Sequence, residues 1–185
     1  KYGKKLRGTS TMTAHSQSAP ALALDFTGKT VLVTGGGVGI GRGIAEAFAA
    51  AGADVVIAKI DPERADAVEQ AIPSARVIRC DVLKRGVGQM MAERIAAESG
   101  KLDVLVNNVG HFVHARPFAM LTDEEADEIL NVNLGQLLRI TRAMLPLLRK
   151  RAPTSSIINV TSIEAHRGIP YCSVYAAAKW GVTGF

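Results

Sequence analysis

The amino-acid sequence predicts an α/β protein built on a doubly wound parallel sheet with helices on both faces. From residue 30 onward, short apolar β-branched runs alternate with longer segments of helical periodicity, which is typical of repeated strand–helix–strand units. A glycine-rich segment follows the first run and opens the first helical segment. The length of 185 residues, with 48% hydrophobic and 21% charged residues, is typical of one globular domain.

Five apolar runs predict strands, and five longer segments predict helices. The strands are expected at Thr30–Thr34, Asp54–Ala58, Arg76–Arg79, Val104–Asn107 and Ser156–Val160. The helices are expected at Ile40–Ala51, Pro62–Ala71, Lys84–Ser99, Thr122–Lys150 and Val174–Phe185. Thr122-Asp-Glu-Glu125 has the pattern of a capping box, and Gly52 and Gly100 suit helix ends.

The first 24 residues lack periodicity and predict a disordered extension before a single domain over residues 25–185. The formal net charge is +5, but four of the positive charges precede the first acidic residue, which leaves +1 for the rest. These four are Lys1, Lys4, Lys5 and Arg7. The predicted domain therefore lacks the basic surface that nucleic-acid binding requires.

Cysteine usage and hydropathy favour a soluble cytoplasmic protein. Cys80 and Cys172 lie in apolar segments without the spacing of a zinc site or a disulfide framework. No apolar run reaches the ~18–20 residues that span a bilayer, and residues 1–24 lack the apolar middle of a signal peptide. We expect no membrane partner.

The glycine-rich segment Thr34–Gly41 predicts a turn that binds a dinucleotide pyrophosphate. Glycines in such a turn permit close backbone approach, and the following helix presents unpaired amides to the phosphates. The candidate cofactor-binding residues here are Gly35, Gly37, Gly39, Ile40 and Gly41. A Gly-Lys-Ser/Thr triplet is absent, which argues against a P-loop and nucleoside triphosphate hydrolysis.

Chemically distinctive residues follow each of the five predicted strands. Ligands of open parallel sheets bind beyond the carboxyl ends of the strands, so we expect these residues to share one edge. They are the glycine turn, the segment Lys59–Asp61, the segment Cys80–Val82, the segment Asn107–Gly110, and Ser162.

Tyr175 and Lys179 lie four residues apart on the last predicted helix, so their side chains share one face. A nearby ammonium lowers the pKa of a phenol from about 10. An exposed helix pair without chemistry would show the same spacing, and Ser162, thirteen residues before Tyr175, favours the chemical interpretation.

Together, the segment Thr-Gly-x-x-x-Gly-Ile-Gly, Asn-Asn-x-Gly, Ser162 and the Tyr-x-x-x-Lys pair resemble the short-chain dehydrogenase/reductase family in its single-domain form. The resemblance covers Asp25–Phe185 and implies a Rossmann-type fold. Extended relatives such as sugar epimerases use a different glycine spacing. The family transfers a hydride between a nicotinamide and a carbonyl or secondary alcohol, so the resemblance implies an oxidoreductase with a small-molecule substrate.

The resemblance implies four catalytic residues. Tyr175 would be the general acid in reduction and the base in oxidation. Lys179 would lower the pKa of Tyr175 and hold the nicotinamide ribose, and Ser162 would hydrogen-bond the substrate oxygen. Asn133, rather than Asn131, would anchor a water leading to the lysine. Purely structural roles, a helix kink for Asn133 and a strand end for Ser162, remain open at this point.

The resemblance also implies cofactor contacts after strands three and four. Asp81 would accept from the adenine amino group beside the backbone of Val82. Asn107 would brace the sheet, while Asn108 and Gly110 would line the ribose on the nicotinamide side. Val109 stands where the family commonly has alanine.

The end of strand two decides between the two nicotinamide cofactors. An acidic residue there would bind a 2′-hydroxyl and select NAD(H). Lys59 stands there instead, with Arg42 near the glycine turn, and cations favour the 2′-phosphate of NADP(H). Asp61 keeps NAD(H) open.

His111 and His114 follow strand four. Without a further ligand close by in the sequence, their spacing favours a pocket wall or an exposed loop over a metal site.

The chain ends six residues after Lys179, whereas family members continue with a sixth strand, a substrate lid and a seventh strand. We therefore expect a C-terminally truncated form whose last strands are missing and whose fifth strand is an uncovered edge. A dinucleotide-binding fragment without turnover and an inactive, misfolding fragment are the alternatives. The leucine-rich segment Asn133–Leu148 resembles the family's interface helix, which implies a homodimer or homotetramer in a full-length form.

Overall fold

The computed structural model describes residues 24–59 and 70–185, with Lys59 described by its backbone alone. The expected disordered extension lies outside these residues apart from Leu24, and so does the predicted helix Pro62–Ala71 apart from its helical last two residues.

In the part of the chain that the structure describes, five parallel strands form one sheet in the order β3-β2-β1-β4-β5. In the register, Val33 of β1 lies opposite Ile57 on one side and Val106 on the other. The strands are β1 Thr30–Thr34, β2 Asp54–Lys59, β3 Arg76–Arg79, β4 Val104–Asn107 and β5 Ser156–Asn159. The order reverses between β1 and β4, which is where a doubly wound sheet opens a crevice for ligands. The predicted fold class is confirmed.

The helices of the described residues follow the prediction closely. They are α1 Gly39–Ala50, α2 Val87–Ser99, α3 Asp123–Leu130, α4 Gln136–Arg149 and α5 Ser173–Gly184. The predicted capping box of α3 is confirmed, because the Thr122 side chain accepts from the Glu125 amide and the Glu125 carboxylate accepts from the Thr122 amide.

One predicted helix, Thr122–Lys150, is in fact three consecutive segments. A π-helical turn over Asn131–Gly135 separates α3 from α4. Such turns widen a helix locally and are frequent at functional sites. The sequence pattern does not reveal the turn, because apolar periodicity continues through it.

The remaining differences are at element boundaries. α2 begins at Val87 rather than Lys84, because Gly86 adopts a left-handed conformation with φ 84°. β5 ends at Asn159 rather than Val160, and β2 extends through Lys59.

Alternating residues of the strands build two cores, one on each face of the sheet. On one face Leu32 and Leu105 pack against the side chains of α2 and α4. On the other face Val33 and Val106 pack with the side chains of α1. Both faces are therefore apolar, as a sheet covered on both sides requires.

β5 forms one edge of the sheet. It pairs with β4 on one side, and within the described residues no strand pairs with its other side. Ile157 and Ile158 are 40% and 42% exposed, in contrast to the fully buried apolar residues of β1. No helix in the described part of the chain is long and apolar enough to cross a membrane.

Candidate active site

A cavity of about 840 Å³ opens at the carboxyl edge of the sheet, beside the point where the strand order reverses. Its volume lies within the range of small-molecule sites. The structure brings ten of the predicted site residues together around it. They are Gly35, Ile40, Gly41, Asp81, Val82, Asn108, Gly110, Ser162, Tyr175 and Lys179.

The glycine turn is held by steric constraints that only glycine meets. A Cβ at Gly41 would lie 2.5 Å from the carbonyl oxygen of Gly35, so the turn and the first residues of α1 touch. Gly35 and Gly39 have positive φ angles of 66° and 54°. Gly37 lies buried within the same turn. The sequence analysis did not single out Gly36, although a Cβ there would lie 3.0 Å from Ile57.

Asn108 ties the glycine turn to the end of β4. Its side-chain amide donates to the carbonyl of Thr34 at 3.0 Å, while the Thr34 hydroxyl accepts from the Asn108 backbone amide at 3.0 Å. Asn107 similarly donates to Asn159 of β5 and to Thr141 of α4, both at 2.9 Å. The two asparagines therefore hold β1, β4, β5 and α4 in one arrangement beneath the cavity.

The segment after β3 forms the opposite wall. Asp81 Oδ1 accepts from the Leu83 amide at 2.9 Å, which fixes the turn, and Val82 is 8% exposed. Cys80 also lines the cavity, and burial together with the charge of Asp81 raises the pKa of its thiol to about 11. The sequence analysis had placed Cys80 only in an apolar segment, without a role at the site.

Lys59 is the last residue of β2, one residue beyond the predicted strand, and lies opposite Arg79 of β3. Its side chain and Asp61 lie outside the described residues. Arg42 projects from α1 and pairs with Glu46 at 2.7 Å, both half-exposed. The charge of Arg42 near the glycine turn is thus partly compensated, which the sequence pattern did not indicate.

Tyr175 and Lys179 lie on α5 and face the cavity together. The Lys179 Nζ is 5.9 Å from the centre of the Tyr175 ring and donates to the carbonyl of Val160 at 3.1 Å. Lys179 is 4% exposed, and burial lowers its pKa. Phe112 packs edge-on against Tyr175 with ring centres 5.1 Å apart, which limits the phenol's orientation.

Asn133 lies fully buried in the π-helical turn, and its amide donates to the carbonyls of His111 and Ile129, both at 3.0 Å. A Cβ at Gly110 would lie 2.9 Å from Lys179 Nζ and 3.0 Å from Asn133 Oδ1. Both polar atoms therefore border the same small space. Asn133 Oδ1 is buried without a hydrogen-bond partner among the described residues.

Ser162 follows β5 and precedes a short 3₁₀ turn over Ile163–Ala165. Its hydroxyl donates to the carboxylate of Glu164, and this hydrogen bond lowers the pKa of Glu164. The sequence analysis missed Glu164. A carboxylate two residues after the candidate serine was the available signal.

The two histidines after β4 lie in different surroundings. His111 lines the cavity, whereas His114 contacts the carboxylate of Glu128 at 2.7 Å and lies 3.4 Å from that of Glu125. Only His111 belongs to the pocket wall.

The short chain dehydrogenase family profile matches residues 29–185. The chain is 34% identical to L-fucose dehydrogenase from Bos taurus over 163 residues, which cover 88% of this chain and 60% of the relative. It is 36% identical to D-xylose 1-dehydrogenase from Caulobacter vibrioides over 168 residues, which cover 89% of this chain and 65% of the relative.

Solved structures agree with this relationship. One from Pseudomonas syringae superimposes with a TM-score of 0.82 at 30% identity, and the match covers 88% of this chain and 69% of that one. The chain spans about 60–65% of the length of the two curated relatives. A matching profile over most of the residues, the shared fold and the arrangement of the site together show that this chain belongs to the short chain dehydrogenase family.

Proposed function

We propose that this protein is an NAD(P)-dependent oxidoreductase that transfers a hydride between the nicotinamide and a carbonyl or secondary alcohol. The observation that carries the proposal is that Tyr175, Lys179 and Ser162 line the same cavity as the glycine turn. A dinucleotide site and an acid–base group therefore face one volume, which hydride transfer with proton transfer requires.

The residues present fit a nicotinamide dinucleotide. The contact between Gly41 and Gly35 leaves the backbone free to approach a pyrophosphate at the first turn of α1, whose amides favour an anion. Asp81, with Val82, would hold the adenine. Asn108 and Gly110 would line the ribose next to the nicotinamide. The bound nicotinamide supplies or accepts the hydride.

Tyr175 then acts as the acid or base. In reduction its hydroxyl donates a proton to the substrate oxygen, and in oxidation the phenolate removes that proton. Phe112 holds the ring by its edge contact, so the hydroxyl keeps one direction. Ser162 positions the substrate oxygen beside it.

Lys179 stabilises the phenolate of Tyr175 through its positive charge and binds the ribose hydroxyls. Burial of the ammonium strengthens both effects, because screening by solvent is weaker there. The unpartnered Oδ1 of Asn133 is an acceptor for a water that would pass protons toward Lys179.

We propose NADP(H) as the preferred cofactor, with NAD(H) as the alternative. The support is the position of Lys59 at the end of β2, where the ribose of the adenosine would lie. The test is Lys59→Asp, which should move the ratio of Kd values for NADPH and NADH toward NADH. An unchanged ratio would remove Lys59 from cofactor selection.

We also propose self-association and a reducing, cytoplasmic location. The outer faces of α4 and α5 carry exposed apolar side chains, including Leu138 at 38% and Trp180 at 53%. Such residues suit a helix–helix interface. Cys80 and Cys172 are both free thiols, which suits a reducing compartment.

Cofactor titration tests the proposed function most directly. NADPH and NADH are added separately to the purified protein, and binding is followed by nicotinamide fluorescence and calorimetry. Saturable binding that Gly41→Ala weakens supports the proposal, and turnover is then assayed with sugars, polyols and ketones. Absence of binding to both cofactors by the folded protein would overturn it.

A further inference from the structure

A second groove, of about 190 Å³, lies between the N-terminus of α2 and the first half of α4. It adjoins the cofactor cavity only through Val82, which lines both. Three cationic side chains line it, namely Lys84, Arg139 and Arg142. Among the described residues no carboxylate lines this groove.

Arg139 carries a positive charge that has no anionic partner among the described residues. Its Nη2 donates to the carbonyl of Leu83 at 3.1 Å and to Asn131 Oδ1 at 2.6 Å, both uncharged acceptors. Its Nε is buried without a partner in the described part of the chain. Burial, and then the charges of Arg85 and Arg142, lower the pKa of Arg139. Buried or half-buried cations are ordinarily paired, so this arrangement lacks an anion.

The backbone adds donors at the same place. Gly86 precedes α2 in a left-handed conformation, and the first turn of α2 contains no acidic residue. The first amides of a helix have no partner within the helix and carry a partial positive charge. A Cβ at Gly88 would lie 3.3 Å from both Ala143 Cβ and the Arg139 carbonyl oxygen, so glycine there lets α2 approach α4 closely.

We propose that this groove binds a tetrahedral anion of the phosphate type, either free phosphate or a small phosphate monoester. Guanidinium forks match such oxygens in geometry, and Lys84 adds a flexible point charge. The volume is far above the about 10–15 Å³ that a single bound water needs, so the groove accommodates one phosphate group with its nearest waters. The proposal is independent of hydride transfer, because no residue assigned to that chemistry contributes a charge to the groove.

The hydrogen bonds of Leu83 also link the groove to the wall of the cofactor cavity that carries Asp81. Leu83 accepts from Arg139 through its carbonyl and donates its amide to Asp81. An anion that fixes Arg139 therefore steadies the turn that carries Asp81.

The test is calorimetric titration of the purified protein with inorganic phosphate and, separately, glycerol phosphate, against sodium chloride of equal ionic strength. The double variant Lys84→Gln/Arg142→Gln removes two charges. Neither side chain makes a hydrogen bond or ion pair among the described residues, so the fold should be retained. Arg149→Gln is the control, since Arg149 is exposed on the same helix about 15 Å from Arg139 along the axis.

We expect the wild-type protein to bind phosphate saturably. The double variant should bind it at least about tenfold more weakly, because charge-assisted hydrogen bonds are lost, and the control variant should bind it as the wild type does. Preference for one of the two ligands identifies the source of the phosphate group. Absence of saturable binding overturns the proposal. Phosphate binding by the double variant that equals binding by the wild type also overturns the proposal. If Gly41→Ala then abolishes this phosphate binding, the anion binds at the glycine turn instead.

Discussion

The Lys179 ammonium lies 5.9 Å from the centre of the Tyr175 ring, on the same face of α5 and on the wall of the same cavity. The ammonium is almost fully buried and donates to one backbone carbonyl. The protein thus holds a desolvated charge next to a phenol, at a cost in folding stability that the proposed chemistry explains.

That cost predicts a pH-dependent effect of Lys179→Met. Burial lowers the folded-state pKa of Lys179 below 10.5, because it disfavours the charged form. At every pH at which the lysine is charged, this desolvation therefore lowers the stability of the folded state. The unfolded chain binds more protons between the two pKa values, so wild-type stability gains with rising pH there. In urea denaturation the stability difference, variant minus wild type, should therefore fall as the pH rises through the lowered folded-state pKa toward the ordinary lysine value of 10.5. A stability difference that is independent of pH would contradict the prediction.

Tyr175→Phe should reduce turnover by about 10²–10⁴-fold, the usual contribution of a positioned acid or base. The Kd for NADPH should change little, because the ring and its contact with Phe112 are kept. Tyr171→Phe is the matched control, since Tyr171 is 59% exposed. Steady-state kinetics with a turned-over substrate is the measurement. Retained turnover would remove Tyr175 from the chemistry.

Two glycines of α1 should respond oppositely to alanine. In Gly41→Ala the new Cβ would lie 2.5 Å from the Gly35 carbonyl oxygen, and relief of that overlap should cost about 1–3 kcal/mol and weaken cofactor binding. In Gly43→Ala the Cβ meets nothing within 4 Å, so a better helix former should stabilise the protein by about 0.5–1 kcal/mol. Urea denaturation and NADPH titration measure both. Similar changes in stability and in cofactor affinity in the two variants would contradict the close approach of Gly41 to the Gly35 carbonyl.

Cys80 should be unreactive near neutral pH despite lining the cavity. With a pKa raised from 9.0 to about 11, its thiolate fraction at pH 8 is about a hundredfold below that of an ordinary thiol. We expect the alkylation rate of Cys80 by iodoacetamide, measured in Cys172→Ala, to be correspondingly slow and to rise about tenfold per pH unit until the pH approaches about 11. Alkylation at the rate of a free thiol would show that the site is more open to solvent. Bound NADPH should slow the reaction further.

The sequence predicted the sheet, and it predicted the edge of the sheet at which the candidate residues gather. β-Branched runs reflect local pattern, and the placement of the residues that follow the strands follows from a general rule of parallel sheets. It did not predict the π-helical turn at Asn133, because its backbone geometry leaves no mark on apolar periodicity. Hydrogen bonds between distant residues were equally hidden, as with Thr34 and Asn108, which are 74 residues apart. The sequence likewise did not predict the basic groove, because Lys84 and Arg139 line one groove only when α2 packs on α4.

Glu164 offers the last prediction. The Ser162 hydroxyl donates to its carboxylate, so that proton is directed away from the substrate oxygen. Glu164→Gln removes the charge and leaves a weaker acceptor, so the Ser162 hydroxyl is freer to donate to the substrate.

We expect Glu164→Gln to raise kcat/KM for reduction of a simple ketone about threefold or more. The change is modest because solvent screens a partly exposed charge. The effect should vanish in a Ser162→Ala background, since it acts through that hydroxyl. Equal gains in both backgrounds would show that Glu164 acts on the substrate directly. A loss of activity in the single variant would mean instead that the carboxylate holds Ser162 in its working orientation.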